Sequence, residues 1–335
     1  MQSEGKVQFM RSNLSFMQQG AVAFSPQARY LFCTGGYDGR VHLYSARNAA
    51  LLQRYSIANS GFGRHTNAVR FTCDGMKILT TTASRLAVLD VETGSQVQTY
   101  DDCSCNGSTK TGLATDPFCW HSSVCVQVNG KGLTVIDLRM CLPVLLTNDL
   151  HSRTISDVAF LPRLWPWAPS ETTLLTASSD GHSKVVTMDG KSLVDISAGS
   201  SLTSIAATPG PFNAMAMLGF SSVVMYGGPE VLGYIPEVGI QESLRDQGAA
   251  SVSKIRYTSN GSTLYTACDK GIIRRYRRNP LKHVYLGEVY RHQDKISDMD
   301  ISSYDEYLVT ASDRTVGIMK LGSPSHGVTE YCELT

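Results

Sequence analysis

The sequence repeats one pattern of short apolar strands along its whole length, and a repeat limits the possible folds more than any single residue does. The clearest copy is AVAFSPQARYLFCTGGYDGRVHLY, residues 21–44. Six weaker copies follow, and in each of them a strand ends in a bulky residue. These residues are Tyr44, Leu89, Ile136, Met188, Tyr226, Tyr276 and Met319, which by subtraction lie 45, 47, 52, 38, 50 and 43 residues apart. Seven similar units therefore fill the chain.

Each unit has the same internal order of strand, turn and strand. A first apolar strand leads into a turn of residues that accept tight or left-handed backbone, such as Asp74 with Gly75 and Asn260 with Gly261. A second strand with small residues at its end follows, for example TLLTAS or YLVTAS. No segment has a convincing helical periodicity, so the pattern predicts an all-β protein.

An aspartate recurs in the turn after the second strand, and a histidine recurs before the first strand. With these residues the repeat resembles that of the WD-repeat family, whose blades recur about every 40–45 residues. In that family the histidine, a Ser or Thr of the second strand, the aspartate and a tryptophan form one hydrogen-bonded set. The matching residues here are Asp38, Asp180, Asp313, His65, His151 and His292.

No unit ends its third strand in the Trp-Asp pair that names the family. Tyr44 and Met319 lie six residues after Asp38 and Asp313, where tryptophan is usual, and Lys270 takes the aspartate position of the sixth unit. The fold prediction depends on the periodic strands and not on this set. It is an all-β, seven-bladed β-propeller of four-stranded antiparallel blades in a single domain.

The two ends of the chain compete to complete the last blade. Three strands of the seventh unit end at Leu321, so the fourth must come from residues 7–10 or from residues 328–334. We expect the N-terminal strand to close the ring, because propellers usually take a strand from the opposite terminus and so avoid an open edge. The expected blades are residues 20–56, 63–101, 110–148, 151–197, 200–235, 250–290, and 292–321 plus 6–12.

Composition predicts one globular body inside the cell. A hydrophobic fraction of 42% with 18% charged residues excludes a disordered chain, and a net charge of +1 gives no overall attraction to nucleic acid or membranes. Nine cysteines, an odd number, suit a reducing compartment. The N-terminus lacks the apolar core of a signal peptide, and no stretch reaches the ~20 apolar residues of a membrane span. We expect a cytoplasmic or nuclear protein.

The sequence contains no familiar catalytic motif. A phosphate-binding loop, a dinucleotide fingerprint, a zinc-protease helix motif and a nucleophile elbow are all missing. Cys103 and Cys105 form a CxC pair beside two aspartates, but no second pair completes a zinc site. We interpret this pair as part of a loop between blades, with a reactive or metal-binding cysteine as the alternative. The prediction is a protein that is not an enzyme and that uses no cofactor and no metal.

All three tryptophans fall in loops between the first and second strands of two consecutive units. Trp165 and Trp167 lie in LPRLWPWAPSE, whose prolines lower the entropy lost when a partner immobilises the loop. Trp120 lies in the preceding unit. Tryptophan is frequent at binding hot spots, where its truncation costs about 2 kcal/mol or more. Two interpretations stay open, namely contact with a partner and packing of the indoles beneath blades 3 and 4.

A basic run stands out in the sixth unit. On a strand Arg275 and Arg277 share one side, while Tyr276 takes the buried position at the end of the third strand. Arg278 and Lys282 are expected in the loop that follows. Such a cluster suits phosphate groups, an acidic peptide or an RNA backbone. A salt-bridged edge strand is the alternative, and the near-neutral chain favours it.

The segment LTVIDLR resembles the WDxR box of propellers that act as substrate receptors of cullin-4 ubiquitin ligases. Asp137 and Arg139 match that box, and Ile136 replaces its tryptophan. The alternative is an ordinary blade, because a polar D-x-R pair also suits a plain strand end.

The sequence therefore predicts a protein–protein interaction scaffold that is a subunit of a larger intracellular complex. The expected partners are other proteins, and nucleic acid or anionic lipid is less favoured. The alternatives are a cullin-4 type substrate receptor and a propeller that binds phosphoinositide or RNA phosphate. Residues 236–250 are expected to form a long crossing between blades 5 and 6. The candidate contact residues are Trp120, Trp165, Trp167, Arg139, Arg275, Arg277, Arg278 and Lys282.

Overall fold

The computed structural model contains 28 strands and no helix within the residues that it describes. Those residues are 19–57, 65–82, 85–101, 112–118, 121–162, 165–166, 172–210, 214–221, 231–235, 239–244, 250–313, 315–321 and 328–334. The strands form seven four-stranded antiparallel sheets, each built from four strands that are consecutive in the chain. The prediction of an all-β protein with seven four-stranded blades is confirmed.

In every blade the first strand lies innermost and the fourth outermost. Blade 1 contains β1 (Gln19–Phe24), β2 (Leu31–Gly36), β3 (Arg40–Ser45) and β4 (Ala50–Ser56). Blade 2 contains β5 (Ala68–Phe71), β6 (Lys77–Thr81), β7 (Arg85–Asp90) and β8 (Gln96–Asp101), and blade 3 contains β9 (Leu113–Thr115), β10 (Val124–Asn129), β11 (Gly132–Asp137) and β12 (Leu145–Thr147). Blade 4 contains β13 (Ile155–Phe160), β14 (Thr173–Ser178), β15 (His182–Thr187) and β16 (Ser192–Ser197), and blade 5 contains β17 (Leu202–Ala207), β18 (Ala216–Phe220), β19 (Val231–Ile235) and β20 (Gly239–Leu244). Blade 6 contains β21 (Val252–Tyr257), β22 (Thr263–Cys268), β23 (Ile272–Asn279) and β24 (Lys282–Arg291), and blade 7 contains β25 (Ile296–Ile301), β26 (Tyr307–Ser312), β27 (Val316–Leu321) and β28 (Val328–Leu334).

The first strands of the seven blades form a closed ring. Each of them contacts the first strand of the next blade, and β25 of the last blade returns to β1 of the first. The sheets therefore pack face to face around a common axis, and the apolar core is divided into clusters that lie between adjacent blades. This arrangement is the β-propeller that the repeat predicted.

The bulky residues at the ends of the third strands fill these interfaces. Tyr44 is fully buried and stacks on Phe32, with ring centroids 5.4 Å apart. Leu89, Ile136 and Met319 are also fully buried. Burial of an aliphatic side chain of this size stabilises the fold by about 1.5–3 kcal/mol. Tyrosine and aliphatic residues thus occupy the packing position that tryptophan holds elsewhere in the repeat pattern.

The strand that completes the seventh blade is not the one that we expected. β28 pairs antiparallel with β27, so the C-terminal alternative supplies the fourth strand. The prediction that residues 7–10 fill this position is wrong, and those residues lie outside the described part of the chain. Both segments are short and partly apolar, so composition does not rank them. The short connection from β27 favours the C-terminal strand, since consecutive strands usually pair.

The fifth blade also departs from the prediction. We expected its third strand to end at Tyr226, which lies outside the described residues, but the third strand is β19. This strand pairs with β18 on one side and with β20 on the other. Strand β20 lies in the segment that we expected to form a crossing between blades. Residues 222–226 and 231–235 are both apolar runs near glycines, so the period alone did not separate them.

Removal of residues 322–335 should destabilise the protein, because the chain would lose β28 and expose the edge of β27. We expect the Tm to fall by several degrees in differential scanning calorimetry and the protein to aggregate more readily. A chain without residues 1–12 is the control, because it keeps all four strands of blade 7. A larger loss of Tm in the control than in the C-terminal deletion would contradict this assignment.

Candidate functional site

The innermost strand of each blade is an edge strand, so half of its backbone groups face the central channel without a partner strand. Buried N–H and C=O groups of this kind require other hydrogen-bond partners. In this protein, side chains of one blade bond to the first strand of the next. Four N–H groups are satisfied in this way by carboxylate or hydroxyl oxygens. The bonds run from Ile205 N to Asp157, Ile255 N to Ser204, Val22 N to Asp298 and Phe24 N to Asp300, at 3.2, 3.2, 3.2 and 2.8 Å.

Backbone carbonyl groups of the inner strands bond to hydroxyl groups at β-bulges. The first strands of blades 4 and 5 shift register at Ser156 and Thr203. Ser156 Oγ donates to Leu202 O at 2.7 Å, and Thr203 Oγ1 donates to Val252 O of the following blade. At a bulge the extra residue is left out of the strand pairing, so its side chain can point toward the neighbouring blade. Neighbouring blades are therefore joined by hydrogen bonds although no strand passes between them.

Six charged side chains of the inner strands meet in the channel, and we call them the channel set. Three are acidic and three are basic, so the set as a whole is neutral. Buried charges are tolerated when they are paired and hydrogen-bonded, and removal of one partner is costly. The pairs are Lys254–Asp157 at 3.0 Å, Lys254–Asp298 at 4.0 Å, Arg70–Asp298 at 3.5 Å and Arg256–Asp300 at 3.8 Å.

The acidic members of the channel set differ in their pKa values. Burial on its own would raise the pKa of Asp157, but Lys254, Arg256 and the hydrogen bonds to the carboxylate together hold this pKa below the usual value. Burial also opposes ionisation of Asp298, and Arg70 lowers its pKa. At Asp300 burial outweighs the attraction of the nearest guanidinium, so the pKa is raised. Asp300 is the acid whose charged form is least stabilised.

Two openings lead into the channel, and they differ in size and lining. The loops between the first and second strands surround a cavity of about 430 Å³, which we call the lower mouth. Its lining is mostly apolar, and Arg256 and Asp300 lie at its inner end. The opposite opening encloses about 140 Å³ and is lined mainly by polar side chains, among them Lys254 and Asp298. The lower mouth therefore offers the larger and more apolar space.

Two of the repeat histidines hold turns, as the resemblance implied. His151 lies 2.9 Å from Thr176 and 3.1 Å from Asp180, and burial lowers its pKa. Burial alone would raise the pKa of Asp180, but hydrogen bonds from backbone N–H groups and the nearby histidine lower it to about 2. In blade 7, His292 bonds to Thr310 at 2.8 Å. These side chains are structural.

His65 does not share this position, which corrects the prediction. It is exposed, and its Nδ1 lies 3.2 Å from Tyr37 O instead of contacting a second-strand threonine. The strand register explains the difference, because His65 precedes the equivalent first-strand residue by three positions where the other two histidines precede it by six. Of the remaining aspartates, Asp38 accepts a bond from Arg40 N at 3.1 Å, and Asp313 follows β26.

Trp165 is fully buried between blades 4 and 5, in a cluster that includes Leu175 and Leu218. Its indole N–H donates to Thr208 O at 3.3 Å. The packing interpretation therefore describes Trp165, which offers no surface to a partner. Trp120 and Trp167 lie outside the described residues.

The basic residues of blade 6 lie on β23 and β24, and their side chains do not share one environment. Tyr276 is buried, as its position predicted. Arg275 bonds to the side chain of Tyr265, whereas Arg277 is exposed. Arg278 lies on β23 and Lys282 begins β24, so the prediction that both lie in the loop is wrong. The strands of this blade are longer than the repeat suggested, and they leave a connection of only residues 280–281.

Arg139 is exposed at the end of β11. Its side chain is 75% accessible, and its Nε lies 2.9 Å from Asp137 Oδ1. This hydrogen bond lowers the pKa of Asp137 to about 2. The D-x-R sequence therefore forms a local pair, and most of the guanidinium surface is open to solvent.

Sequence reasoning missed an exposed apolar segment, residues 140–146, which we call the rim segment. Met140, Leu142, Val144 and Leu146 are 52–74% exposed. Gln98 of blade 2 donates to Met140 O at 2.8 Å, so the segment lies beside the outer strand of that blade. The outer strand of blade 3 has three residues, against six to ten in the other blades. The sequence of this segment resembles an ordinary apolar strand, and the pattern alone does not show that its side chains are exposed.

The described part of the chain holds no group of three or more His, Cys, Asp or Glu residues that could bind a metal ion. Five cysteines whose side chains the structure describes are free, and four of these are buried, with Cys141 exposed. Cys103 and Cys105 lie outside the described residues. Within the described ranges, no helix has the length and hydropathy needed to cross a membrane.

Comparisons with known proteins agree with this geometry. The family model described as "WD domain, G-beta repeat" matches residues 20–45 and 284–318, which correspond to β1–β3 and to the stretch from β24 to β27. No curated protein matches the chain. A chain in a crystal structure of the mitotic checkpoint complex superposes with a TM-score of 0.74 and 11% identity, over 96% of this chain and 94% of that one. At this identity the likeness concerns the fold alone.

Replacement of Asp298 by alanine should destabilise the fold by about 3–5 kcal/mol, because Arg70 would remain buried without its anion. Urea unfolding followed by intrinsic fluorescence measures this change. Asp195→Ala is the matched control, because Asp195 pairs with His182 at the surface, and loss of such a pair costs less than about 1 kcal/mol. Equal losses in the two variants would contradict a structural role for the channel set.

Acidification should change the free energy of unfolding, and the channel acids should contribute to this change with opposite signs. Asp298 has a lowered pKa in the folded state, so its contribution is present above the ordinary aspartate pKa of about 3.9 and is lost as the pH falls through the folded value. Asp300 has a raised pKa, so its charge opposes folding at neutral pH and protonation relieves this.

We therefore expect Asp298→Asn to flatten the acid limb of the stability–pH curve, measured by urea unfolding at a series of pH values, and Asp300→Asn to steepen it or leave it unchanged. If Asp300→Asn flattened the limb as much as Asp298→Asn, the signs assigned to the two acids would be wrong.

Proposed function

We propose that this chain, a seven-bladed propeller whose residues 20–45 and 284–318 match the WD-repeat family model, acts as a non-enzymatic scaffold for protein–protein interactions within a larger intracellular complex. Propellers of this family typically serve as platforms for other proteins. Cytoplasmic or nuclear location is part of the same proposal and rests on the odd cysteine count and the free thiols.

The exposed rim segment is the observation that carries the proposal. Single exposed apolar side chains are ordinary on protein surfaces, whereas neighbouring groups of them mark binding sites. Leu142 is 74% exposed and Val144 is 59% exposed, within two residues of each other. Val97 on the outer strand of blade 2 is also exposed, at 55%. A protein partner that buried these side chains would gain their hydrophobic free energy.

The backbone around the rim segment is held by fixed contacts, which supports a role in binding. The Tyr100 hydroxyl donates to Met140 O at 2.8 Å, and Val144 N donates to Val135 O at 2.9 Å. A surface that is ordered before binding loses little conformational entropy when a partner arrives. The blade thus presents the apolar side chains from a rigid base.

A substrate receptor of a cullin-4 type ubiquitin ligase is the second candidate function. Arg139 favours it, because this residue is 75% exposed and directly precedes the rim segment. One surface of blade 3 would then present a cation beside apolar side chains. Co-purification of the cullin-4 adaptor with the wild type, and its loss in Arg139→Ala, would support the receptor function. Partners that persist without the adaptor would favour the plain scaffold.

Recognition of phosphate groups has less support. Arg275 and Arg278 bond within the protein, to Tyr265 and to Pro280 O, and Arg277 and Lys282 are the exposed cations of the run. With two exposed cations in the run and a net charge of +1, the electrostatic attraction available for binding RNA or anionic lipid is weak.

Two groups of side chains remain proposed contacts for a protein partner. The four basic residues of blade 6 suit an acidic segment of such a partner. Trp120 and Trp167 also stay in the proposed set, and the buried Trp165 is withdrawn from it.

Substitution of Leu142 and Val144 by serine should remove partners without unfolding the protein, because both side chains are exposed. Loss of apolar anchors at a binding hot spot costs about 2 kcal/mol or more, or roughly a 30-fold loss of affinity. Affinity purification from cells with mass spectrometry compares this variant with the wild type, and thermal unfolding confirms its fold.

The matched control carries Leu52→Ser and Leu193→Ser, on the outer strands of blades 1 and 4. An unchanged set of partners in the rim variant, or an equal loss in the control, would rule out the rim segment as the main docking surface.

A further inference from the structure

The lower mouth of the channel has the features of a binding pocket. Its volume of about 430 Å³ lies in the range of about 300–1,000 Å³ that is usual for ligand pockets. Four phenylalanines and four prolines contribute to its walls, which every blade helps to form. Pockets of this kind are mainly apolar and use a few placed polar groups to orient what they bind. The phenylalanines are Phe24, Phe71, Phe118 and Phe160.

Two polar side chains at the inner end of the lower mouth have hydrogen-bonding capacity left over. Asp300 Oδ2 accepts the bond from Phe24 N, whereas Oδ1 makes no hydrogen bond within the described residues. Its nearest cation is Arg256, whose Nε lies 3.8 Å away, beyond hydrogen-bond distance. Arg256 uses Nη1 to bond Ile255 O at 2.9 Å, which leaves other N–H donors of the guanidinium. An acceptor and a donor thus lie side by side in the apolar cavity.

We propose that the lower mouth binds an extended apolar segment of a partner protein, and that one residue of this segment bridges Arg256 and Asp300 with its own N–H and C=O. In an extended chain the N–H and C=O of one residue point to the same side, so the C=O can accept from the guanidinium while the N–H donates to the carboxylate. Apolar side chains on either side of this residue contact the phenylalanine walls.

The neutrality of the channel set selects a neutral ligand. The three acids and three bases already balance, and a phosphate or a basic side chain would leave one buried charge without compensation. The backbone N–H and C=O of one residue satisfy both groups and add no charge. The site lies apart from the rim segment, so either surface can fail its test without affecting the other.

The first experiment maps binding of acetyl-leucyl-phenylalaninamide, a short apolar peptide, by methyl NMR on the full chain labelled at its alanine methyl groups. Five alanines line the lower mouth and report on its occupation, and alanines elsewhere serve as internal controls. The reporters are Ala23, Ala114, Ala159, Ala206 and Ala207. We expect shift changes on titration that are confined to these residues. No shifts up to the solubility limit of the peptide, or shifts spread over other alanines, would overturn the proposal.

Variants and an altered peptide test the two parts of the mechanism separately. Ser303→Tyr places a ring at the exposed entrance and should abolish binding, while Ser192→Tyr, at an exposed position of blade 4, should leave it unchanged. Asp300→Asn keeps an acceptor for Phe24 N but offers an amide N–H to the peptide N–H, and should weaken binding by about tenfold. A probe in which an ester oxygen replaces the central N–H should be weakened equally. Binding that survives Ser303→Tyr, or that ignores both the ester and Asp300→Asn, would refute the proposed mode.

Discussion

Hydrogen bonds from the side chains of one blade to the innermost strand of the next hold this ring together. Each first strand has a backbone edge that no strand covers, and the seven edges face one another across the channel. Asp157, Ser204, Asp298 and Asp300 cover part of these edges, as do the bulge hydroxyls of neighbouring positions. The same bonds fix the spacing of the blades and therefore the width of the two mouths.

Carboxylates that accept hydrogen bonds from backbone N–H groups in the channel carry a desolvation cost, and this cost explains the cations found beside them. A carboxylate is a strong acceptor for a backbone N–H, but its burial without a cation is unfavourable. Arg70, Lys254 and Arg256 supply the cations, each from the same kind of strand. Where the pairing is close the acid keeps its charge easily, and where it is loose, as at Asp300, the pKa rises. Asp300, the acid whose nearest cation is farthest away, is also the one that lines the larger mouth.

The sequence predicted the architecture because the information for it is local and repeated. Every unit needs a bulky side chain at the end of its third strand, and residues such as Tyr44 and Leu89 show the period even without tryptophan. Composition could not identify the closing strand or the third strand of blade 5, since in each case two apolar segments were available. The closing strand is the one that directly follows β27, and the third strand of blade 5 is defined by its pairing with β18 and β20.

The candidate sites were predictable to different degrees. A signal for the channel set was present in the sequence, because Asp157, Lys254 and Asp298 each interrupt an apolar first strand just after a serine. The exposure of the rim segment could not be predicted from its sequence, because its apolar residues are of the same types as those that fill the core. The burial of Trp165 depends on a pocket that residues of blade 5 complete, which no local pattern reveals.

The pairing of charges across the channel also bears on how many blades this chain can have. Each blade is a contiguous stretch of sequence, so loss or duplication of one blade would leave every remaining sheet intact. Loss of blade 6, however, would remove Lys254 and Arg256 and leave the three acids of the channel set with one arginine. The copies look interchangeable along the sequence, yet their inner strands are matched to particular neighbours. The number and order of the blades are therefore specified by side chains, whereas the backbone of the repeat would accept other numbers.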